Sequence, residues 1–377
     1  MLRCFFTALI VVCVMGGRAQ VTVFSSDEGG YAFFRIPAIV GLSRGDLLAF
    51  AEGRVNDSGD FGNIDLVMKR SRDNCRTWSS LQLVVDQTNV QAGNPAPVVD
   101  LLDPEHPKGV GYLFYNTGNI HENEVRKGNG VREVWYVRSM DQGLTWSAPV
   151  NITLQTHRPN LPTFNEAYSF SEDWRSYANT PGHAMQFQKG RYKGRIYVAA
   201  NHSFGPPQDR FRDYRAHGFF SDDHGKSFQL GATLTIPGSN ESMATELSDS
   251  RMLMSVRNQS GTPRVRIVAF SSDGGMGWDT AYSDIQLPDP VCQGSILTVG
   301  YRKGKAIVAS CNAADTVRRA NLSVKVSRDE GRSWTTTILV EPFAAYSDMV
   351  KLEAHRIGVL YERNNYKEIV FKEIEWK

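Results

Sequence analysis

The chain has 377 residues, with 42 lysines and arginines against 40 aspartates and glutamates, so its formal net charge is only +2. A balance this close to neutral argues against a generic nucleic-acid surface; any anion must be held by local clusters of arginine. The composition, 22% charged and 11% aromatic, fits one large folded domain, and no low-complexity linker divides it.

Residues 1–19 read as an export signal: Arg3, an apolar run from Phe5 to Met15, then Gly17 and Ala19 ahead of a cleavage point near Ala19. The run is short for a membrane span, and no later apolar stretch is long enough to cross a bilayer. The expected product is exported, periplasmic or extracellular, with residues 20–377 forming a single domain. Three cysteines remain beyond the signal, Cys75, Cys292 and Cys311. An odd number permits one bridge at most, with Cys292 and Cys311 the nearer pair, and buried thiols are an equal expectation.

A strand is expected near Val21–Phe24, and an apolar strand follows Phe34-Arg35-Ile36-Pro37. Further along, Ser71-Arg-Asp73-Asn-Cys75-Arg-Thr77-Trp78 is the first of five copies of one pattern, Ser-x-Asp-x-Gly-x-Thr/Ser-aromatic. The others begin at Ser139, Ser221, Ser271 and Ser327. In each, the Asp can accept from nearby backbone N–H groups, the Gly supplies a positive φ, and the aromatic packs beneath the turn. Alternating runs precede them: Val134–Arg138, Gly218–Phe220, Val265–Phe270 and Leu322–Val326. Each copy is therefore read as a hairpin turn. Repetition roughly every 50–80 residues marks a repeated supersecondary unit, and the expected fold is an all-β, six-bladed propeller. Closure would pair the strand near Val21 with Glu368–Lys372. The stretches 104–109 and 122–130 read as exposed loops.

Phe34-Arg-Ile-Pro37 followed by these boxes resembles the sialidase (neuraminidase) family of propeller glycosidases. The resemblance runs from about residue 23 to residue 376 and includes Ala49-Phe-Ala-Glu-Gly-Arg54, Pro181-Gly-His183, Cys292-Gln-Gly-Ser295, Tyr346-Ser-Asp348 and Leu360-Tyr-Glu-Arg363. The first box departs from the pattern with Cys75 in place of Gly, the third ends in Phe228, and the fourth has Gly277 for Thr.

Chemistry and resemblance together nominate the site. A sugar bearing a carboxylate on its anomeric carbon needs a fixed cationic clamp, and guanidinium groups bind carboxylates bidentately. The resemblance implies Arg35, Arg257 and Arg319, with Arg318 as a rival for the third. A carboxylate nucleophile would approach a carbon already carrying an anion, so a neutral phenol with a base beside it is preferred. Tyr346 matches that nucleophile. Glu241 matches its base, with Glu246 as competitor. Asp60 is the expected general acid, chosen over Asp57 and Asp65, and Glu362 would orient Arg35. Arg54, Asn94, Asp65 and Gln293 complete the expected substrate-binding set.

No metal or organic cofactor is implied. The expected activity is a secreted, retaining exo-α-sialidase acting on sialylated glycans of glycoproteins, glycolipids and oligosaccharides, with no nucleic-acid partner. Transfer to a sugar acceptor, an anhydro product, or a catalytically silent glycan-binding propeller are the alternatives.

Overall fold

The computed structural model describes residues 20–377, apart from residues 44, 74 and 354. The expected signal segment, residues 1–19, lies outside the described residues. The fold is all-β with a propeller arrangement, and the only helices among the described residues are one-turn pieces.

Antiparallel hairpins generate four discrete sheets. One comprises Trp174–Asn179, Ile196–Phe204, Tyr214–Ser221 and Gln229–Leu230, with Met185–Gln186 beside its second strand. The next two are Ser239–Glu246, Met252–Asn258, Val265–Ser271 and Thr280–Pro288, then Gly294–Arg302, Lys305–Ala313, Leu322–Ser327 and Thr336–Glu341. The last contains Ala344–Lys351, Arg356–Arg363 and Glu368–Glu375, completed at its edge by the first strand of the chain, Val21–Ser25. That pairing runs from Val21 opposite Phe371 to Ser25 opposite Glu368, so the two ends of the described chain close one sheet.

The expectation of six blades is corrected here. Four blades stand as separate hydrogen-bonded sheets, while the strands between Phe33 and Asn151 form one continuous eight-stranded sheet. The cause is local: Ile64 on Ile64–Ser71 bridges in parallel to Gln91 on Gln91–Asp100, and that bridge joins two hairpin groups that would otherwise be separate.

The first strands of these groups pack around one axis. Phe33–Gly41 lies against Gln91–Asp100 on one side and Ala344–Lys351 on the other, and Gly294–Arg302 packs between Ser239–Glu246 and Ala344–Lys351. Alternation along each strand sends Val, Ile and Phe into the layers between neighbouring sheets, as with Val324, Val326, Val359 and Tyr361, all essentially inaccessible.

The repeated boxes are turns, and they also stitch the sheets together. In the second box Ser139 Oγ donates to Asp141 Oδ1 at 2.8 Å and accepts from Gly143 N at 2.7 Å; Asp141 Oδ1 also accepts from Thr145 N at 2.9 Å. The closing aromatic then reaches the preceding group of strands. Trp146 meets Phe50, Phe228 meets Phe114 and Tyr136, Trp278 donates to Ala232 O, and Trp334 donates to Asp284. Cys75 holds φ 69° where the second box has Gly143 at 83°, so the first box keeps its geometry with a side chain in the left-handed region. Cys292 and Cys311 are separate, buried thiols, and the bridge considered between them is not formed.

Candidate active site

The functional side chains sit where the first strands irregularly pair. Register shifts occur between Arg35 and Ala38, Gly93 and Ala96, Ser239 and Ser242, and Ala344 and Ser347. A bulge re-aims the side chains of its strand, and these four carry Arg35, Asn94, Glu241 and Tyr346 to one end of the axis. Two bulges hold a residue at positive φ, Ile36 at 56° and Asn94 at 55°. For a β-branched residue such as Ile36 that backbone is strained. Each is secured by a buried carboxylate from the adjoining group of strands: Glu362 Oε1 accepts from Ile36 N at 2.9 Å, and Glu52 Oε1 accepts from Asn94 N at 2.8 Å.

The resulting cleft, about 230 Å³, is lined by Arg35, Arg54, Asp60, Asn94, Glu241, Arg257, Arg319 and Tyr346 among mainly polar neighbours. Tyr346 Oη donates to Glu241 Oε1 at 2.7 Å and accepts from Arg257 Nη1 at 2.8 Å; the same Arg257 nitrogen donates to Glu241 Oε2 at 2.5 Å. Burial and the neighbouring Glu241 carboxylate push the phenol well above its ordinary range, against the opposing pull of Arg257 and Arg319. At neutral pH the phenol is therefore protonated, with a carboxylate already placed to take the proton.

Arg35 is fixed by Glu362, its Nε donating to Oε1 at 3.0 Å and Nη2 to Oε2 at 3.4 Å. Glu362 is completely buried and also accepts from Tyr346 N at 3.2 Å, so one carboxylate orients both the arginine and the tyrosine backbone. Arg319 lies with its guanidinium 5.3 Å from the centre of the Tyr346 ring, and Arg35 lies 5.4 Å from it. Three guanidinium groups thus surround one phenol, with few carboxylates to neutralise them on the cleft side. Such an arrangement binds an anion.

Asp60 projects over this cluster, its side chain 73% exposed, with Oδ1 accepting from Arg54 Nη1 at 2.8 Å and lying 3.5 Å from Arg35 Nη1. Loss of water from the few covered atoms would raise the Asp60 pKa, but the charges of Arg54 and Arg35 outweigh it and hold the carboxyl below its ordinary value. Arg54 is anchored below by Glu52.

Not every expected residue reaches the cleft. Asp65 accepts from Tyr31 Oη at 2.7 Å, outside the cleft lining, because it faces Gly53 across a strand pair that directs it away. Gln293 is buried beneath the floor, donating to Pro181 O and Ser347 O and accepting from Ser347 N. It ties sheets together and does not line the cleft. Glu246 receives Gln188 N and Lys189 N at the far end of the strand that carries Glu241. Arg318 is exposed, with its guanidinium over Phe343. Cys292 packs beside Tyr346, but burial pushes its thiol up to about 12, which leaves it protonated and a poor nucleophile.

Sequence reasoning missed several residues, among them Glu52, Tyr366 and Arg132. Glu52 stands two positions before Arg54, and in a strand that spacing puts both on one face, a signal that was available. Tyr366 accepts from Arg319 Nη1 at 2.9 Å while its ring covers the Arg35 guanidinium at 4.1 Å. Arg132 also lines the cleft, its guanidinium donating to Gln91. Nothing in the local pattern around Tyr366 or Arg132 marks either one.

The BNR repeat-like domain family matches residues 45–359 of this chain. An exo-alpha-sialidase of Arthroderma benhamiae is 30% identical over 90% of this chain and 80% of its own length. The chain belongs to the sialidase family. A sialidase of Micromonospora viridifaciens is 29% identical over 88% of this chain, which spans half the length of that relative. Among solved structures, a Hadza microbial sialidase matches with a TM-score of 0.79 at 22% identity, covering 95% of this chain and 68% of that one. Membership of the sialidase family places the chain among glycoside hydrolases, and the match with the solved sialidase extends over almost the whole propeller.

Proposed function

We propose that this sialidase-family chain is an exo-α-sialidase that releases terminal sialic acids from glycans with retention of configuration. The observation that carries the reading is the contact of Tyr346 Oη with Glu241 at 2.7 Å, under the guanidinium groups of Arg35, Arg257 and Arg319. A binding site alone needs the cationic clamp; it has no use for a phenol already hydrogen-bonded to a carboxylate base.

In this mechanism the three arginines hold the substrate carboxylate. Glu241 takes the phenolic proton as Tyr346 Oη bonds to the anomeric carbon, and Asp60 protonates the departing glycosidic oxygen. The sugar is then joined to Tyr346. Asp60, now a carboxylate, removes a proton from water as that water attacks the same carbon, and the proton on Glu241 returns to the released phenolate. Two displacements give net retention. Asp60 is held ionised in the free chain by Arg54 and Arg35, and a substrate carboxylate facing Arg35 offsets part of that field, favouring the acid form when the site is filled.

Export is part of the same proposal and is supported by the composition of residues 1–19; among the described residues no helix is long and apolar enough to cross a membrane. The substrates would then be glycans outside the cytoplasm.

The test is release of a fluorophore from a 4-methylumbelliferyl α-sialoside, with the product followed by NMR. Wild type should release the sugar first as the α-anomer. Tyr346→Phe should lower kcat by at least about a thousandfold while ligand binding persists, since only the nucleophilic oxygen is removed. Absence of turnover by the wild type, or a fully active Tyr346→Phe, would overturn the proposal.

A further inference from the structure

The strands that carry Arg35, Asn94, Glu241 and Tyr346 to the cleft also have a far end, and there they enclose a separate cavity of about 380 Å³. Ile39, Val98, Ala244 and Met349 supply its walls from those four strands, with Met185 and Leu297 from two neighbouring strands. At its mouth Leu101 and the Tyr301 ring are 42% and 39% exposed. The cavity shares no residue with the cleft. Apolar walls open to water at one end favour a ligand that can place CH₂ groups against them.

Most polar groups in these walls are paired within the protein. Gln186 donates to Asp100 and accepts from Leu101 N, while Thr245 donates to Thr298 at 3.0 Å and Thr298 donates in turn to Glu246 O. The buried Asp348 carboxylate accepts from His183 N, Ile39 N and Met349 N and lies 2.7 Å from His183 Nδ1, so the wall is set without a ligand. Glu246 is the one carboxylate in the lining, and its oxygens accept from Gln188 N and Lys189 N. Two cations are left at the rim. Lys189 stands with Nζ 3.3 Å over the Tyr301 ring, Lys351 is exposed, and neither pairs with a carboxylate among the described residues. Such a rim repels a cationic ligand and favours an anionic head over a neutral one.

We infer that this cavity is a second ligand site, taking a monocarboxylic acid with an alkyl chain. The chain lies against the aliphatic walls and the carboxylate meets Lys189 and Lys351. Met185 and Met349, unbranched and polarizable, let the walls follow a flexible chain. The site is built from residues the catalytic proposal does not use, so it stands or falls independently of the exo-sialidase reading.

The experiment is calorimetric titration of the intact protein at neutral pH with hexanoate, octanoate, decanoate and decanol. Affinity should rise about tenfold with each added pair of methylenes, and decanol should bind about tenfold more weakly than decanoate. Lys189→Ala, at an exposed position, should weaken decanoate at least about threefold and leave decanol unchanged. Leu297→Trp fills the cavity from a half-buried position and should abolish binding of both, with the unfolding midpoint confirming that each variant is folded. Absence of decanoate binding by the wild type, binding undiminished in Leu297→Trp, or decanol binding as tightly as decanoate would each overturn the inference.

Discussion

At the scale of single residues the site is a set of opposed charges whose balance fixes protonation. Tyr346 keeps its proton because it is buried beside Glu241, and Asp60 loses its proton because Arg54 and Arg35 outweigh its partial loss of water. The sign of the pH response follows. If Asp60 must be protonated to act, kcat/KM falls as pH rises through the Asp60 pKa, which the two arginines hold below the ordinary 3.8. Removing one of those charges raises that pKa. Arg54→Gln should therefore move the midpoint of this limb to higher pH in a pH–rate profile, alongside any loss in the maximum. An unshifted or acid-shifted midpoint would show that Asp60 does not control the limb.

At the scale of elements, each bulged first strand depends on a carboxylate from its neighbour. Glu362, on Arg356–Arg363, accepts from Arg35, from the positive-φ Ile36 and from Tyr346 N, so one side chain joins the strand that opens the chain's first group to the strand carrying the phenol. Removing a single partner from such a buried pair leaves Arg35 uncompensated. Glu362→Ala should cost about 3–5 kcal/mol of stability in denaturant unfolding, beyond any effect on turnover. A loss near zero would mean that water or another group replaces it. Glu52 plays the same part for Asn94 and Arg54. The contact of Glu52 with Asn94 joins residues 42 positions apart, whereas its pairing with Arg54 is legible in the i, i+2 spacing of one strand. Asp65 and Gln293 fail in the opposite sense. Each has the right chemistry and a position near a quoted motif, yet strand direction turns Asp65 toward Tyr31 and burial commits Gln293 to Pro181 and Ser347.

At the scale of the whole molecule, the propeller depends on its ends meeting. Val21–Ser25 completes the sheet formed by the C-terminal strands, and Phe24 is fully buried there against Phe34. Cutting Phe24 back removes contacts on both sides of the closure. Phe24→Ala should destabilise the fold by about 3–5 kcal/mol, read as a lower midpoint in thermal or denaturant unfolding. A variant as stable as wild type would show that the closing strand adds little. The count of separate blades also belongs to this scale. Repeated boxes announce repeated hairpins, but they carry no information on whether adjacent hairpins remain apart. A single parallel bridge, Ile64 to Gln91, settled that.

The sequence by itself determined the all-β class, the turns built on Ser-x-Asp-x-Gly, the pairing of the chain ends, and the charged and phenolic heart of the cleft, Arg35, Arg54, Asp60, Glu241, Arg257, Arg319 and Tyr346. These depend on alternation, on the conformations open to Gly and Asp, and on motifs whose chemistry is specific to guanidinium, phenol and carboxylate groups. The sequence favoured Glu241 over Glu246 and Arg319 over Arg318, and the fold brings the favoured member of each pair to Tyr346; tertiary structure alone decided that Tyr366 links two of the three arginines. In a strand the identity of a residue says which chemistry it can offer. Which face it presents, and to whom, is set by bulges and by neighbours hundreds of residues away.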